Sequence, residues 1–572
     1  MPTRRQQLKA LKDDTYDVLV IGGGAVGCGC ALDAAARGLR TALIDAGDFA
    51  GGASSRSSKL VEGCGVQLQA AIQGGDLPQM YRLQQMLSER ATMLRIAPHL
   101  HRMQPMLMPV YSALRLPVLW LGLKLYDAMS GSANLRASHF LSAEATLCEF
   151  PMLRRHNLIG SLVYYDSQFD DARMCLALAL TAARHDATVV NYVKLNELLP
   201  VSEDSHSRKA VVEDVLTENS FVINTRCLIN ATGAGTDALR QLDDCEVEAI
   251  AESAQLGTHI ALPGHFGSPQ CGLMIPASAG HSDERPFYML PFENRTVVGC
   301  VETTVPDESD EPRSSTALKC EAVDELLEQT RHALNECVVL RPRHVLSTWS
   351  GAKPTILCPE SDDQSKISSE FLLEVSDSQL ITLAGGSWSS YRVMAANAID
   401  TAIERCCLEP QSAVSATDQL VLDGSEEHYD LLPLDLIQNY NLPSDVAHHL
   451  ADAYGCHAPR VLCNTSESER QRLHPNFPYI KAEVDYACEC EYACQLVDVI
   501  ARRLRVAFVD ASAAFQMLPN VLSIMAKHRC WAGSAQKLQL KLAKRFLMRQ
   551  MGLGTVVRYQ PLPKPQSKQS NS

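Results

Sequence analysis

Gly22, Gly24 and Gly27 stand in a Gly-x-Gly-x-x-Gly pattern, within the run Ile21-Gly22-Gly23-Gly24-Ala25-Val26-Gly27. This spacing suits a dinucleotide: the first glycine permits a tight turn, the second lets backbone approach a pyrophosphate, and the third allows close helix packing. Asp45, followed by Ala46, comes at about the 20-residue interval expected of a carboxylate that binds a ribose hydroxyl. A structural glycine turn would need neither the third glycine nor that acid.

Three further stretches carry the same implication. Ser54-Ser55-Arg56-Ser57-Ser58-Lys59-Leu60 is rich in hydroxyls and cations and follows the acidic strand end closely, where it can wrap a cofactor; as a Ser/Gly linker it would sit oddly inside a βαβ unit. Ile229-Asn230-Ala231-Thr232-Gly233 and Leu383-Ala384-Gly385-Gly386 each end an apolar strand in glycine, where backbone can pass close to a ligand. Val193, just beyond a predicted strand over 187–191, completes the candidate cofactor set.

These residues need a scaffold, and the surrounding pattern predicts one. Tyr16–Ile21 reads as a strand, Ala25 to Gly38 as a helix and Thr41–Asp45 as a second strand, which makes a βαβ unit. A helix then a strand follow over 170–192, with antiparallel strands over 210–216 and 221–230. Strands are expected at 259–262, 287–290 and 296–301, then a helix over 317–334. From about 411 the pattern turns helical, with one helix expected over 482–504 because Val484, Cys488, Tyr492, Leu496 and Val499 recur at helical spacing. The expected fold class is α/β: a Rossmann-like domain built from segments near 14–75, 145–250 and 370–410, an antiparallel-sheet substrate lobe between them, and a helical C-terminal domain over 411–555. Residues 1–13 read as an N-terminal extension, and the Pro- and Ser-rich 556–572 as a disordered tail.

Composition bounds the function. At 572 residues the chain holds two or three packed units, and its net charge of −14 argues against a nucleic-acid partner. Twenty cysteines are too sparse in so long a chain for a disulfide scaffold, so reduced thiols in a cytosolic or matrix-like compartment are expected. No secretory h-region follows Arg4 and Arg5, and the apolar stretch 103–129 is too broken by Pro105, Pro109 and Pro117 to span a bilayer. Its Arg115 and Lys124 fit either an interfacial surface or ordinary core packing.

With the motifs in this order, the chain from about residue 2 to 553 resembles the FAD-dependent glycerol-3-phosphate dehydrogenases. The matching stretches are 17–27, 54–60, 163–173, 229–233 and 477–503. The resemblance implies FAD as cofactor, glycerol 3-phosphate or a related small molecule as substrate, quinone as acceptor, and peripheral attachment to the inner mitochondrial membrane. No D-x-[DN]-x-[DN]-G loop occurs in the sequence, so calcium regulation is not implied.

Several positions depart from the family pattern. Where the family reads I-H-G-G-V-R-Y-L, this chain has Glu62 for the histidine and Val66 or Gln67 for the arginine. Lys353 replaces an arginine, and Ser387 replaces a lysine in the stretch that ends at Arg392. Glu62, Lys353, Ser387 and Arg392 are therefore the candidate catalytic residues. Phosphate is best held by guanidinium or ammonium groups, and two such cations are neutral here. Two readings stay open: an oxidoreductase acting on glycerol 3-phosphate, and a flavin-binding paralogue with lost or altered activity.

Cys488, Cys490 and Cys494, with Cys456, His457 and Cys463, invite a metal reading, but no C-x2-C pair is present and no metal is assigned. His259, in a predicted strand, is either a core histidine or a group near the flavin.

Overall fold

The computed structural model describes residues 1–61, 77–199, 207–276, 286–304, 320–357, 367–368 and 371–554. Glu62, Val66 and Gln67, the start of the helix expected from 317, and the tail 556–572 lie outside them.

Two sheets organise the chain. In the first, strands Phe371–Val375, Leu380–Gly385, Asn219–Asn230, Thr15–Ile21, Thr41–Asp45 and Thr188–Asn191 lie side by side in that order. All neighbours are parallel except the first pair. Val18, Leu19, Val20, Leu43 and Ile44 are fully buried, which accounts for apolar runs rather than alternation in the central strands. Val193–Leu199 and Arg208–Asp214 extend the sheet as an antiparallel meander. Helix Ala25–Ala36 lies close to helices Asp171–Arg184 and Tyr391–Arg405 because its residues are small; a Cβ on Gly29 would stand 3.0 Å from the Tyr391 ring.

The second sheet is mixed and nine-stranded, running from Ile367–Ser368 through Ser347–Leu357, Ala251–Pro263 and Arg295–Thr304 to His139–Ser142. Met106, Leu107 and Met108 are buried within its strand His101–Val110. Helix Leu116–Ser130, by contrast, turns Val118 and Leu121 to solvent, so the apolar stretch 103–129 divides into core strand and surface helix. No helix among the described residues is long and apolar enough to cross a membrane. The N-terminus forms helix Arg4–Asp13, tied to the first sheet by an Arg4–Asp214 ion pair at 2.8 Å.

The helix expected over 482–504 is broken. It runs over Lys481–Cys490, stops where Tyr492 takes φ 57°, and resumes as a π-helical turn over Asp498–Arg503. The cause is polar: Glu491 turns inward to Arg173 at 2.8 Å, and the Asp498 carboxylate accepts the amides of Cys494 and Gln495. The wide turn then lets two consecutive residues, Arg502 and Arg503, reach one carboxylate, Asp48, at 2.5 and 2.7 Å.

Candidate functional site

The glycine loop is packed from beneath. Gly22 takes φ +110°, and a Cβ there would fall 2.4 Å from the Ala231 carbonyl oxygen; one on Gly27 would fall 1.8 Å from that of Gly22. Asp45 accepts the Gly23 amide at 2.6 Å and the Gly47 amide at 2.7 Å, fixing the loop from the next strand end. Burial pushes its carboxyl up against the pull of those two amides. Ser54 Oγ accepts the Ala25 amide at 3.0 Å, while the Trp388 indole donates to the Ser54 carbonyl at 3.2 Å. Parallel pairing sets Ile229 beside both Val20 and Ile381. Four separated motifs thus meet at the carboxyl ends of the parallel strands, where open sheets bind ligands.

Lys59, with φ +69°, lies at the centre of the adjoining site. Its fully buried ammonium donates to Asp171 at 2.7 Å and to the Ser55 carbonyl at 2.9 Å, below the Trp349 and Phe508 rings. Arg505 approaches the other Asp171 oxygen at 2.7 Å, and Ser57 donates to the carboxylate from both amide and hydroxyl. Burial pushes Lys59 down to about 7 even though Asp171 pulls it up. Burial alone would raise the Asp171 carboxyl, but Lys59 and Arg505 outweigh it and hold it below the usual range.

His259 stacks on Trp349 with centroids 5.4 Å apart, from a strand whose register shifts between Thr258 and His259. Such irregularities re-aim side chains beside functional sites. The opposite residue is Gly299, whose Cβ would lie 2.2 Å from the imidazole, so only glycine leaves room. Neither ring nitrogen makes a hydrogen bond among the described residues. Burial foremost, then Lys59, drive the imidazole down to about 3 against a weak opposing contact with the Gly257 backbone, so it is neutral.

Residues 17–397 match the FAD dependent oxidoreductase family, and residues 415–536 the C-terminal domain of alpha-glycerophosphate oxidase. The chain is 41% identical over 562 residues to the mitochondrial glycerol-3-phosphate dehydrogenase of Mus musculus, covering 96% of this chain and 76% of that protein. The human mitochondrial enzyme of the same name is 40% identical with the same coverage. The chain belongs to the FAD-dependent glycerol-3-phosphate dehydrogenases. Its fold is that of the Bacillus halodurans glycerol-3-phosphate dehydrogenase complexed with FAD, with a TM-score of 0.76 and 24% identity, over 98% of this chain and 99% of the other.

This member of the glycerol-3-phosphate dehydrogenases has room for its FAD. Among the described residues, a Cβ on Gly24, at the start of helix Ala25–Ala36, would touch only Ser54 Oγ, at 3.1 Å, and one on Gly233, at φ +59°, would meet nothing within 4 Å. Ser58 Oγ is buried with no partner among the described residues. In Gly24→Val, branched carbons would crowd Ser54 and the space where pyrophosphate meets backbone. The expected result is at least about ten-fold weaker FAD retention, on the scale of one lost charge-assisted hydrogen bond, measured as flavin per protein after gel filtration.

The remaining sequence candidates divide. Ser387 forms a serine turn, its amide bonded to Ser390 Oγ and its hydroxyl to Ser389 Oγ, both at 2.8 Å, next to Trp388. Arg392 is taken by Glu89 at 2.8 Å. Lys353 pairs with Gln255 in the strand register, two residues past Gly351. Val193 is buried in an apolar cluster with Ile44 and Val190. Arg56 donates to the Ser350 carbonyl and Gln550, and burial brings it down to about 9. Sequence reasoning passed over Trp349, Phe508 and Arg505; the only signal was their nearness to Gly351 and to Arg502-Arg503.

Proposed function

We propose that this dehydrogenase oxidises sn-glycerol 3-phosphate to dihydroxyacetone phosphate and delivers the electrons to quinone. The observation that carries the reading is His259, a buried imidazole stacked on Trp349 beside Lys59, whose ring nitrogens meet no partner among the described residues beyond a contact with the Gly257 backbone. The chemistry that bound FAD would supply is that of a hydride acceptor for C2. Gly22, Gly24, Asp45, Ser54 and Thr232 would hold the cofactor. His259 takes the proton of the C2 hydroxyl as the carbonyl forms, and Trp349 and Gly299 keep the ring in one orientation. The positive charge of Lys59, Arg56 and Arg505 favours a dianionic substrate over glycerol. Anaerobic mixing with glycerol 3-phosphate tests this: flavin absorbance should bleach, and glycerol should bleach it far more slowly. Intact flavin absorbance with both donors would overturn the reading.

Ser387 stands where the family has lysine, so phosphate binding should be improvable. Ser387→Lys is expected to lower the KM for glycerol 3-phosphate by about ten-fold or more, the value of one charged phosphate contact, and to leave that for glycerol unchanged. An equal effect on both donors would remove Ser387 from the phosphate subsite.

The same reading attaches the protein peripherally to the inner mitochondrial membrane. Its support is the mitochondrial naming of the relatives and the outward Leu114, Val118 and Leu121 at helix Leu116–Ser130. Mitochondrial fractionation followed by carbonate extraction should release the protein to the supernatant. Retention in the pellet would contradict the peripheral mode.

A further inference from the structure

Away from the flavin site, a second group of donor atoms converges where the C-terminal domain meets the end of helix Asp171–Arg184. Cys456 Sγ lies 3.3 Å from Glu426 Oε2 and 3.6 Å from His457 Nδ1. Ligand atoms of these three residues all fall within 4.8 Å of one another. With bonds of about 2.3 Å to sulfur and about 2.0–2.1 Å to nitrogen or oxygen, a tetrahedral Zn2+ would set such atoms about 3.5 Å apart. Both sulfur distances sit close to that edge.

The outer shell is also built. His457 Nε2, the nitrogen turned away from the sulfur, faces Asp423 Oδ1 at 3.3 Å, the carboxylate–histidine arrangement that orients metal-binding imidazoles. Asp423 in turn pairs with Arg184 at 2.6 Å. Arg184 also contacts Glu426 and His457, so it holds the carboxylates in place. The backbone is fixed from both sides: Gly424 accepts the Cys456 amide at 2.8 Å and donates its own amide to Glu426 at 2.9 Å. A Cβ on Gly455 would sit 1.9 Å from the Gly424 carbonyl oxygen, so the two turns touch through glycine. Access is available, since Glu426 is exposed and a cavity of about 510 Å³ opens beside Asp423 and Arg184.

We propose that Glu426, Cys456 and His457 form a three-ligand site for Zn2+, with water as fourth ligand and Asp423 as outer-shell partner. On binding, the Cys456 thiol and His457 Nδ1 each release a proton to solvent, and the resulting thiolate and Nδ1 lone pair turn to the ion. A thiolate and the Glu426 carboxylate then neutralise Zn2+, while Asp423 and Arg184 neutralise each other. The ion would tie residue 426 to 456–457 within the C-terminal domain, beside the Arg184 end of helix Asp171–Arg184.

Co2+ titration of the reduced, metal-free, FAD-loaded enzyme tests the site, competed with Zn2+. Wild type should bind one ion with the thiolate charge-transfer and tetrahedral d–d bands of a cysteine-ligated site, and Zn2+ should erase them. Cys456→Ser, at a partly exposed position that spares the fold, should abolish the charge-transfer band. Asp423→Asn should keep the band but weaken binding by about 10–100-fold. Cys463→Ser, the control among so many thiols, should behave as wild type. Identical spectra for wild type and Cys456→Ser would overturn the proposal, as would a wild type that shows no thiolate band.

Discussion

Replacing Asp171 by alanine should destabilise the enzyme by about 3–5 kcal/mol, the range for removing one partner of a buried charge pair. The carboxylate is the shared counter-charge of two buried cations, Lys59 and Arg505, each at 2.7 Å; without it Lys59 loses its ion-pair partner and Arg505 keeps only Asp170, at 3.3 Å, among buried aromatic rings. Asp171 also fixes the Ser57 amide and hydroxyl, so the cofactor-side loop should loosen with it. Thermal unfolding followed by both circular dichroism and flavin release would show one lowered transition. An unfolding midpoint unchanged at neutral pH would refute the account. The pH dependence has a definite sign. Because the folded carboxyl lies below its unfolded value of about 3.9, its contribution is complete above about pH 4 and is lost as pH falls further. The variant should therefore lose less stability than wild type on acidification below that point.

Much of the fold was legible because it rests on local pattern. The glycine loop, the Asp45 strand end and the strand around Ile229 sit in sequence runs whose apolar character follows from burial on both faces of a parallel sheet. The break at Tyr492 was not legible, since helical spacing of apolar residues continues across it; the cause is the inward turn of Glu491 to an arginine more than 300 positions earlier. The same limit applies to the site. Lys59 could be singled out by its neighbours in sequence, but its counter-charge comes from Asp171, which it shares with Arg505. Arg392 had the right motif, yet Glu89 claims its guanidinium, a pairing between distant helices that spacing cannot reveal.

His259 shows the limit most clearly, because its chemistry arises from three strands at once: its own register shift, Trp349 on one neighbour and Gly299 on the other. If it is the proton acceptor, a value near 3 leaves it a weak base until the dianionic substrate raises it, and His259→Gln should then slow anaerobic flavin reduction by glycerol 3-phosphate by up to about 10²–10⁴-fold, the full share of a general base matched to the working pH. Glutamine fills similar space and retains a hydrogen-bonding end but cannot take the proton, so FAD content and unfolding temperature should stay near wild type. The pH profile separates this role from that of Lys59. With its free-enzyme value pushed to about 3, the imidazole is already neutral throughout the working range, so kcat/KM, which reports the free enzyme, should show no rise from deprotonating it between pH 5 and 8. Lys59, held near 7, instead loses its charge as pH rises through neutrality, so KM for the dianionic substrate should climb above about pH 7. In His259→Gln that KM trend should persist while the rate constant stays low. A variant that reduces its flavin as fast as wild type would leave the proton to another group and make the stacked imidazole a packing element.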